Sequence, residues 1–303
     1  MTDLFHLFEK ALPSSCLKAQ ALLSEYTTMR VGGPADLLVE PETEEQLVAA
    51  LRLAEQEHIP VCLIGNGSNL LVSDAGFRGL ALHVGRALGT IHCEGNHIHA
   101  GAGALLSAVA RTAADHQLTG MEFAAGIPGS VGGAVCMNAG AYGGEIKQVL
   151  TAARVYQDGE IRTLSNAQLD FGYRHSAVME KGGVVLSADF VLQPGDPAQI
   201  ANTMADLARR RREKQPLQYP SCGSFFKRPE GYFAGALIEQ SGLKGFTVSG
   251  AQVSELHAGF LINRGGATAA DVYAVMRHVQ KTVQERFGVS LEPEVKLIGR
   301  FEV

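Results

Sequence analysis

Apolar positions in the first part of the chain follow the period of a helix and that of a strand in turn. The capping-box pattern from Thr43 to Gln46 predicts the start of a helix that ends before Pro60. The pattern next predicts a buried strand at Val61–Ile64 and a second helix over 103–116. The buried faces of these helices would consist of Leu47, Ala50, Leu51 and Ala54 in the first, and Leu105, Leu106, Val109 and Ala113 in the second.

From residue 148 to residue 192 the pattern changes to that of strands. Strands are predicted over 152–156 and 159–164, joined by a turn at Asp158 and Gly159, and over 184–192. A helix is then expected over Pro197–Lys214, with an apolar side formed by Ile200, Met204 and Leu207. These elements favour an α+β fold with an open or mixed sheet.

The C-terminal part is smaller and also mixes helices with strands. A helix is expected over 233–241, and short strands are expected around 246–253 and 258–262. A final helix begins at the cap Thr268 and stops at Gly288, and a last strand covers 294–299. Its buried stripe would be Val272, Val275, Met276, Val279 and Val283. We therefore expect a first domain over 1–205, with two subdomains, and a second domain over 206–303.

Composition restricts the class of protein. The 303 residues carry a net charge of −5, so we expect no nucleic-acid surface, because duplex binding relies on dense positive charge. No apolar run reaches the length of a membrane span, and the N-terminus shows no signal-peptide pattern. The five cysteines form no C-x-x-C pair, which favours a reduced, cytoplasmic protein. A monomer is the default expectation.

A metal site is not expected. His92, His97 and His99 cluster in an alternating pattern over 90–100 that is interrupted at Gly95 and Asn96. We interpret this segment as a hairpin with polar outward faces. Neither the cysteines nor the histidines show the spacing of zinc ligands.

The glycine-rich loop at 65–69, Gly-Asn-Gly-Ser-Asn, begins like a dinucleotide-binding fingerprint and then departs from it. Gly65 and Gly67 follow an apolar strand, but Leu70 stands at the third glycine position and no helix start follows. A Rossmann site holds pyrophosphate at a helix N-terminus. Here the loop joins strand to strand, so its own backbone N–H groups would have to hold a phosphate.

A second loop over 124–145 contains two Gly-Gly pairs, Gly132–Gly133 and Gly143–Gly144. Glycine loses the most backbone entropy on folding, so this density indicates positive φ angles or close approach of a ligand. A tight loop without a ligand is the plainer alternative. Taken together, the two loops favour a flat, phosphate-bearing cofactor that lies between two glycine walls.

Four polar residues are candidates for chemistry, although each has an ordinary explanation when taken singly. Arg30 precedes a glycine pair and by default is a surface residue, and Arg174 is similarly ambiguous. The Ser224 hydroxyl could lie in a dry site between a glycine and two phenylalanines, and Glu294 by default is a strand-edge carboxylate. Cys222 has no evident base beside it, so we interpret it as structural.

Seven segments, in order, carry a resemblance to a known family: TTMRVGGPAD, GNGSNLLVSD, FAAGIPGSVGGAVCMNAGAYG, FGYR, QPLQYPSCGSFFKRP, HAGFLIN and LEPEVKLIG. From 26 to 299 the chain closely resembles the UDP-N-acetylenolpyruvoylglucosamine reductase family, in its second, shorter type. The resemblance implies reduction of the enolpyruvyl ether of UDP-N-acetylglucosamine to UDP-N-acetylmuramate, for peptidoglycan, with NADPH and bound FAD. It also implies an FAD-binding domain of the PCMH/vanillyl-alcohol-oxidase type, followed by a smaller α+β substrate-binding domain.

The resemblance assigns roles by matching motifs. The catalytic positions would be Arg174, Ser224 and Glu294. The substrate-binding positions would be Tyr173, Arg211 and Lys227, and which arginine of 209–212 contacts the substrate stays open. The cofactor-binding positions would be Arg30, Gly65, Asn66, Gly67, Ser68, Asn69, Ala125, Gly126, Ile127, Pro128, Gly129, Ser130, Gly132, Gly133, Asn138, Gly140 and Ala141. The longer type's tyrosine loop has no evident room here, so the way the uridine diphosphate is held also stays open.

The implied chemistry has two half-reactions. NADPH passes a hydride to the flavin, and the hydride then reaches the β-carbon of the enolpyruvyl group. Ser224 would protonate the α-carbon, while Arg174 and Glu294 would stabilise the enolate-like charge. The alternatives are an FAD-linked oxidase of the same fold and a non-catalytic nucleotide-sugar sensor. The lack of histidine in either glycine loop argues against the oxidase, and the intact Ser224 argues against the sensor.

Overall fold

The computed structural model describes residues 4–301, so 1–3 and 302–303, at the outer ends of the two predicted domains, lie outside the described residues. The helices are α1 Leu4–Glu9, α2 Glu44–Gln56, α3 Leu106–Asp115, α4 Val131–Cys136, α5 Ala177–Glu180, α6 Pro197–Lys214, α7 Ala234–Gln240 and α8 Ala269–Phe287. Short 3-10 helices cover Ser14–Cys16, Leu23–Tyr26, Arg86–Leu88, Glu122–Gly126 and Ile146–Gln148.

The strands are short and mostly antiparallel. They are β1 Leu17–Ala19, β2 Ala35–Val39, β3 Val61–Ile64, β4 Leu70–Val72, β5 Phe77–His83, β6 Ile91–Glu94, β7 His97–Gly101, β8 Leu118–Thr119, β9 Gly140–Ala141, β10 Gly144–Glu145, β11 Leu150–Gln157, β12 Glu160–Ser165, β13 Val184–Val191, β14 Gln193–Pro194, β15 Ser221–Ser224, β16 Thr247–Val248, β17 Ala251–Val253, β18 Phe260–Asn263 and β19 Lys296–Ile298. The mixture of helices and strands agrees with the predicted α+β class.

The described residues form two compact units, each assembled from separate segments of the chain. The first unit contains the described residues up to Lys18, with Val39–Asn66 and Leu82–Arg211. The second contains Ala19–Leu38, Gly67–Ala81 and the described residues from Arg212 onward. These units differ from a single division after residue 205, because two early segments belong to the second unit. The division into family domains at that residue stays a prediction.

The first unit contains an antiparallel five-stranded sheet in the order β12-β11-β13-β7-β6. Asp158 and Gly159 join β11 to β12 at φ 52° and 76°, the left-handed turn that an Asp-Gly pair favours. At the other edge, β6 and β7 form the predicted hairpin, in which His92 pairs with His99. His99 Nδ1 lies 2.7 Å from Asp189 Oδ1. Residues 4–301 contain no group of three His, Cys, Asp or Glu side chains placed to hold a metal ion.

Helix α2 begins where the capping pattern predicts, with a modified cap. The Thr43 side chain accepts the Gln46 N–H at 3.3 Å, as expected for an N-cap residue. The Gln46 side chain accepts the N–H of Glu42 at 2.7 Å, whereas a capping box would direct it to Thr43. The reciprocal bond is therefore displaced by one residue toward the N-terminus.

Two side chains of β11 attach α2 to the sheet of the first unit. Arg154 donates to both carboxylate oxygens of Glu44 at 2.9 and 2.8 Å. Tyr156 is buried and donates to Glu55 at 2.8 Å. Burial, reinforced by the bond to Glu55, raises the pKa of Tyr156 to about 12. The phenol therefore remains a hydrogen-bond donor at neutral pH.

The second unit contains an antiparallel sheet in the order β15-β18-β17-β16, against which α8 packs. Both predicted ends of α8 are confirmed: Thr268 accepts the Asp271 N–H at 3.1 Å, and Gly288 adopts φ 68°. The predicted stripe is buried, and it consists of Val272, Val275, Met276, Val279 and Val283. Strand β19 pairs in parallel with β4, with Lys296 opposite Leu70.

Three predicted elements are modified in the structure. Helix α3 begins at Leu106 rather than at 103, because Gly103 is packed in a turn where a Cβ would lie 1.9 Å from the carbonyl oxygen of Gly85. Strand β3 is only partly buried, since Val61 is 37% exposed. Helix α6 has the predicted bounds but buries less of its apolar side than expected; Ile200 is buried, whereas Met204 and Leu207 are partly exposed.

The sequence prediction lacks three elements near the glycine loops. Strands β2 and β5 are neighbours in one sheet, and their pairing joins segments that are distant in sequence. Helix α4 has six residues and includes a Gly-Gly pair, a composition that disfavours a helix.

Of the helices in residues 4–301, none combines the length and the apolar composition that crossing a bilayer requires.

Replacing Asp74 by alanine tests the N-terminus of α8. The Asp74 carboxylate accepts the N–H groups of Ala269 and Ala270, both at 2.8 Å. Because these bonds satisfy helix-end donors and oppose the positive end of the helix dipole, Asp74→Ala should lower the free energy of unfolding by about 1–2 kcal/mol. Chemical denaturation followed by circular dichroism measures the change. The control is Glu285→Ala on the exposed surface of α8, which should change the free energy of unfolding by less than about 0.5 kcal/mol. Equal losses of stability in the two variants would contradict the role of Asp74 as a cap.

Candidate active site

The loop at 65–69 connects β3 to β4 and exposes a row of backbone donors. Its five consecutive backbone N–H groups, from Gly65 to Asn69, donate no hydrogen bond to the described part of the protein. Gly67 is nevertheless buried. Buried backbone N–H groups normally have an acceptor, so such a row is suited to an anion such as a diphosphate.

Both glycines of this loop are required by close packing. Gly67 has φ 62°, and a Cβ on it would lie 1.9 Å from the carbonyl oxygen of Tyr26. The Thr28 N–H donates to the Gly67 carbonyl at 3.1 Å, and the Thr28 hydroxyl donates to the Ser221 carbonyl at 2.6 Å. A Cβ on Gly65 would lie 2.3 Å from the hydroxyl of Ser130, which is the end of a rotatable side chain. Gly67 therefore tolerates substitution less than Gly65.

The two asparagines of this loop use their side chains within the protein. In the first unit, Asn66 Nδ2 donates to the Pro128 carbonyl at 2.6 Å. In the second unit, Asn69 Nδ2 donates to the Glu294 carbonyl at 3.1 Å. These bonds fix the loop, and the donors that remain for a ligand are its backbone N–H groups and the hydroxyl of Ser68.

The second glycine loop contains α4, and part of its glycine content serves the packing of the chain. Val131 and Gly132, in the first turn of α4, donate to the carbonyls of Ala104 and Ala102 at 2.8 and 2.9 Å. A Cβ on Gly132 would approach the Cβ of Ala102 to 3.1 Å. The N-terminus of α4 thus uses two of its N–H groups inside the first unit, so it does not present a Rossmann-like phosphate site.

The other predicted cofactor residues of the first unit follow each other along this loop. Ala125 and Gly126 end the 3-10 helix Glu122–Gly126. Gly140 and Ala141 form β9, which pairs with β10. Between them lie the remaining predicted positions, Ile127, Pro128, Gly129, Ser130, Gly133 and Asn138.

Arg211 is the arginine of the 209–212 run that lies against this loop. A Cβ on Gly126 would be 2.9 Å from Nη1 of Arg211, so only glycine permits this approach without displacing the guanidinium. Burial lowers the pKa of Arg211. Arg209 and Arg210 are exposed and pair with Asp206 at 2.6 and 2.7 Å. The geometry therefore favours Arg211 as the ligand-binding member of the run.

Tyr173 and Arg174 form the tip of a tight turn in the first unit. The Gly172 N–H donates to the His175 carbonyl at 3.2 Å, and the His175 N–H donates to the Gly172 carbonyl at 3.3 Å. Arg174 has φ 54°, a conformation that costs a residue other than glycine about 1–2 kcal/mol. Tyr173 is 57% exposed, and the Arg174 guanidinium lies 5.1 Å from the centre of its ring. Backbone strain of this kind is concentrated at functional positions.

The second unit places Ser224 and Glu294 on neighbouring backbone segments. Ser224 is the last residue of β15, and the Glu294 N–H donates to the carbonyl of the next residue, Phe225, at 2.9 Å. Phe226 and Pro293 form an antiparallel bridge. Ser224 is exposed and Glu294 is partly buried. A hydroxyl and a carboxyl group, 70 positions apart in the sequence, are thus attached to one small piece of sheet-like structure.

Lys227 and Arg30 also belong to the second unit. Lys227 Nζ lies 2.5 Å from Glu292 Oε1, and its backbone N–H donates to the Glu292 carbonyl at 2.9 Å. Arg30 is exposed and has φ 58°. The carbonyl of the preceding residue, Met29, accepts from Asn263 at 3.2 Å, which holds this left-handed residue in place.

Cys222 is unsuited to nucleophilic chemistry. It is 2% exposed, and burial raises its pKa to about 12. The reactive form of a cysteine is the thiolate, which this environment strongly disfavours. The structure agrees with a structural role for this residue.

The sequence reasoning missed Tyr142. This residue lies in the turn between β9 and β10, is exposed, and has φ 53°. An ionised Tyr142 would raise the pKa of Arg211, against the larger lowering by burial, so the two side chains lie near each other. The available signal was a bulky aromatic residue directly before the Gly143–Gly144 pair, in a position that demands a left-handed turn.

Comparison with known proteins identifies the family. Residues 35–165 match an FAD binding domain, and residues 215–298 match the C-terminal domain of UDP-N-acetylenolpyruvoylglucosamine reductase. The UDP-N-acetylenolpyruvoylglucosamine reductase of Clostridium perfringens is 53% identical over 279 residues, which cover 92% of this chain and 91% of that protein. The chain belongs to the UDP-N-acetylenolpyruvoylglucosamine reductase family.

Two further relatives agree with this assignment. The UDP-N-acetylenolpyruvoylglucosamine reductase of Geobacillus thermodenitrificans is 52% identical over 299 residues, covering 97% of this chain and 98% of that protein. The crystal structure of the Thermus caldophilus reductase superposes with a TM-score of 0.81 at 38% identity, covering 93% of this chain and all of that one. The expected fold and the expected FAD-dependent oxidoreductase class are therefore confirmed.

The residues of the two glycine loops fit FAD. The row of backbone donors at 65–69 suits a diphosphate, and the second glycine loop offers backbone at which side chains are small or absent. This arrangement offers phosphate donors without a Rossmann fingerprint.

Replacing Gly67 by alanine should disturb the loop at 65–69, here called the donor loop, more than the same replacement disturbs its surroundings at another left-handed glycine. Gly95 is the matched control, because its φ of 59° is close to the 62° of Gly67 but a Cβ there meets no atom within 4 Å. Gly95→Ala should cost about 1–2 kcal/mol for the left-handed conformation alone. Gly67→Ala must in addition displace the Tyr26 carbonyl, so we expect a greater loss of stability and loss of bound flavin. Thermal unfolding and flavin absorbance after desalting measure both effects. Equal behaviour of the two variants would refute the packing argument.

Proposed function

We propose that this chain reduces the enolpyruvyl double bond of UDP-N-acetylenolpyruvoylglucosamine to form UDP-N-acetylmuramate, with NADPH as the reductant. FAD, which the backbone N–H groups at 65–69 and the second glycine loop would hold, would supply the hydride transfer from NADPH to the β-carbon. The double bond gains that hydride and one proton, and NADPH becomes NADP⁺. The observation that carries the proposal is the attachment of Ser224 and Glu294 to adjacent backbone segments, through the Glu294 N–H and the Phe225 carbonyl at 2.9 Å.

Ser224 is the proposed proton donor to the α-carbon. Addition of a hydride to the β-carbon leaves negative charge on the α-carbon and its carboxylate. A serine hydroxyl is too weak an acid for most general acid catalysis, but a carbanion-like acceptor is basic enough to take its proton. The neighbouring Phe225 and Phe226 are buried, which fixes the backbone that carries the hydroxyl.

Arg174 and Glu294 are proposed to stabilise the developing charge. A guanidinium held toward the substrate carboxylate interacts more strongly as charge accumulates there, which lowers the barrier. The left-handed conformation of Arg174 and the tight turn around it keep the position of this cation defined. Glu294, whose carbonyl accepts from Asn69 at 3.1 Å, provides an acid that completes the hydrogen bonds.

Tyr173, Arg211 and Lys227 are proposed to bind the substrate. Arginine matches phosphate geometry with paired N–H donors, and lysine contributes a point charge. Arg211 is the best candidate of its run for the reasons of burial and packing given above. These cations would contribute to holding the uridine diphosphate in a chain without the longer type's tyrosine loop.

We also propose that the enzyme is a cytoplasmic monomer. A reducing compartment is supported by the lack of disulfide bonds in residues 4–301, which contain Cys16, Cys62, Cys93, Cys136 and Cys222. The net charge of −5 supports small-molecule substrates rather than nucleic acid.

Replacing Ser224 by alanine separates the two half-reactions. Under anaerobic conditions, NADPH should bleach the flavin of Ser224→Ala as fast as that of the parent enzyme. Reoxidation by UDP-N-acetylenolpyruvoylglucosamine should fall by roughly three orders of magnitude or more, because general acid catalysis contributes on the order of 10²–10⁴-fold. Stopped-flow absorbance measures each half-reaction separately.

The matched control for that experiment is Ser221→Ala, at the other end of β15. It should leave both rates close to those of the parent enzyme. Equal slowing of both half-reactions in Ser224→Ala would remove the proton-donor assignment. A parent enzyme whose bleached flavin recovers only in air would instead be an oxidase, and a protein that binds no flavin would overturn the proposed reaction.

Replacing Arg211 by methionine tests the substrate-binding assignment within the arginine run. Loss of a charged hydrogen bond to phosphate costs about 1.5–3 kcal/mol, so KM for the substrate should rise roughly 10- to 150-fold. Steady-state kinetics give KM and kcat for Arg211→Met and for the control Arg209→Met. Arg209 is exposed and pairs with Asp206, so its replacement should change KM less than about threefold. If KM rose for Arg209→Met alone, the substrate contact would belong to Arg209 and the assignment to Arg211 would be wrong.

A further inference from the structure

The C-terminus of α4 ends in a motif that usually contains glycine. The N–H of Ala139 donates to the Ala134 carbonyl at 2.8 Å, and the N–H of Asn138 donates to the Val135 carbonyl at 3.2 Å. This is the Schellman arrangement, in which the residue after the cap is left-handed and commonly glycine. Asn138 occupies that position with φ 42°. The presence of asparagine therefore suggests that its side chain has a task of its own.

Both N–H groups of the Asn138 side chain are used by hydrogen bonds within the first unit. Nδ2 donates to the carboxylate of Glu145 and to the carbonyl of Gly172, both at 3.0 Å. Oδ1 accepts the backbone N–H of Lys147 at 3.0 Å. The residue is 1% exposed. These three bonds hold the side chain within the protein, whatever contact its second acceptor position makes with a cofactor.

One of these bonds reaches the turn that carries Arg174. Gly172 is the first residue of that turn, and its carbonyl accepts from both Asn138 and the His175 N–H. On the far side of the turn, the Ser176 hydroxyl donates to the Cys136 carbonyl, at the last residue of α4, at 2.7 Å. Both sides of the turn are therefore attached to the end of the same helix.

We propose that Asn138 is a positioning residue, which fixes the turn at 172–175 on the C-terminus of α4 and thereby directs Arg174. The left-handed backbone of Arg174 is strained by about 1–2 kcal/mol, and a turn of this kind persists only where its surroundings determine it. Only a side-chain amide supplies two donors and an acceptor from so short a side chain. This inference rests on the proposed function, in which Arg174 binds the substrate carboxylate.

The decisive variant is Asn138→Gly, because glycine keeps the left-handed end of α4 and removes only the side-chain bonds. In the FAD-loaded enzyme, reduction by NADPH should slow far less than the second half-reaction. Reoxidation by the substrate should slow about 10- to 100-fold, because a small misplacement of a binding group has effects of this size. Hydrogen exchange should become faster in peptides that contain the 172–175 turn, whether or not substrate is present.

The matched control is Asn96→Gly. Asn96 Nδ2 also donates to a backbone carbonyl of the first unit, that of Leu192 at 3.1 Å, but it does not contact the turn. This variant should leave both half-reactions and the exchange of the turn unchanged. Equal slowing of reoxidation by Asn96→Gly would mean that general loosening of the unit, and not the Asn138 bonds, is responsible.

A double-mutant cycle with Arg174→Ala decides whether Asn138 acts through the arginine. Asn138→Gly should have no further effect on reoxidation once Arg174 is alanine, since the group that it positions is gone. Full multiplication of the two effects would overturn the inference, as would equal slowing of the two half-reactions in Asn138→Gly. If Arg174→Ala alone left reoxidation unchanged, the proposed role of Arg174 would fail, and exchange at the turn would still show whether Asn138 holds it.

Asn138→Asp provides a second test should the glycine variant fold poorly. Aspartate keeps the acceptor for the Lys147 N–H but cannot donate to Gly172, and it brings a second carboxylate to Glu145. It should accelerate exchange at the turn and slow reoxidation far more than flavin reduction. Normal reoxidation together with normal exchange in a folded Asn138→Asp variant would refute the positioning role.

Discussion

The close packing of backbone at Gly67 is the constraint on which the donor loop depends. The Tyr26 carbonyl oxygen lies 1.9 Å from the place where a Cβ of residue 67 would be, so the loop can take its course only with glycine there. In this course the N–H groups at 65–69 find no acceptor in the described protein. An anionic ligand that satisfies them would stabilise the folded loop in proportion to its own binding, so cofactor affinity and local stability are linked.

Elements that are specified by local signals could be predicted closely from the sequence. The final helix has a capping residue, an apolar stripe at helical spacing and a terminal glycine, and its observed bounds are Ala269–Phe287. The turn at Asp158 and Gly159 is equally local, because the dipeptide itself prefers the left-handed conformation. Helix α4 was missed because its two glycines oppose a helix, and tertiary bonds to Ala102 and Ala104 outweigh that preference.

The candidate site was less accessible to pattern reasoning because it is assembled from distant segments. The hydrogen bond from Asn69 to the Glu294 carbonyl joins residues 225 positions apart, and no periodic pattern in the sequence predicts such a contact. Arg174, Ser224 and Glu294 each have an ordinary explanation in isolation, so their roles came from the resemblance of whole motifs. The assignment of Arg211 within its run needed the packing against Gly126, and the bonds of Asn138 needed the position of the turn at 172–175.

The discontinuous make-up of the second unit has a consequence for biosynthesis. Its early segments, Ala19–Leu38 and Gly67–Ala81, leave the ribosome long before Arg212 and the residues that follow. Strand β4 is buried in the finished protein, yet its parallel partner β19 is made much later, since Lys296 pairs with Leu70 across 226 positions of sequence. The nascent chain therefore carries an apolar strand with an open edge until β19 emerges, the state in which molecular chaperones bind and in which misassembly begins. Completion of this unit has to wait for a segment made long after its first strands.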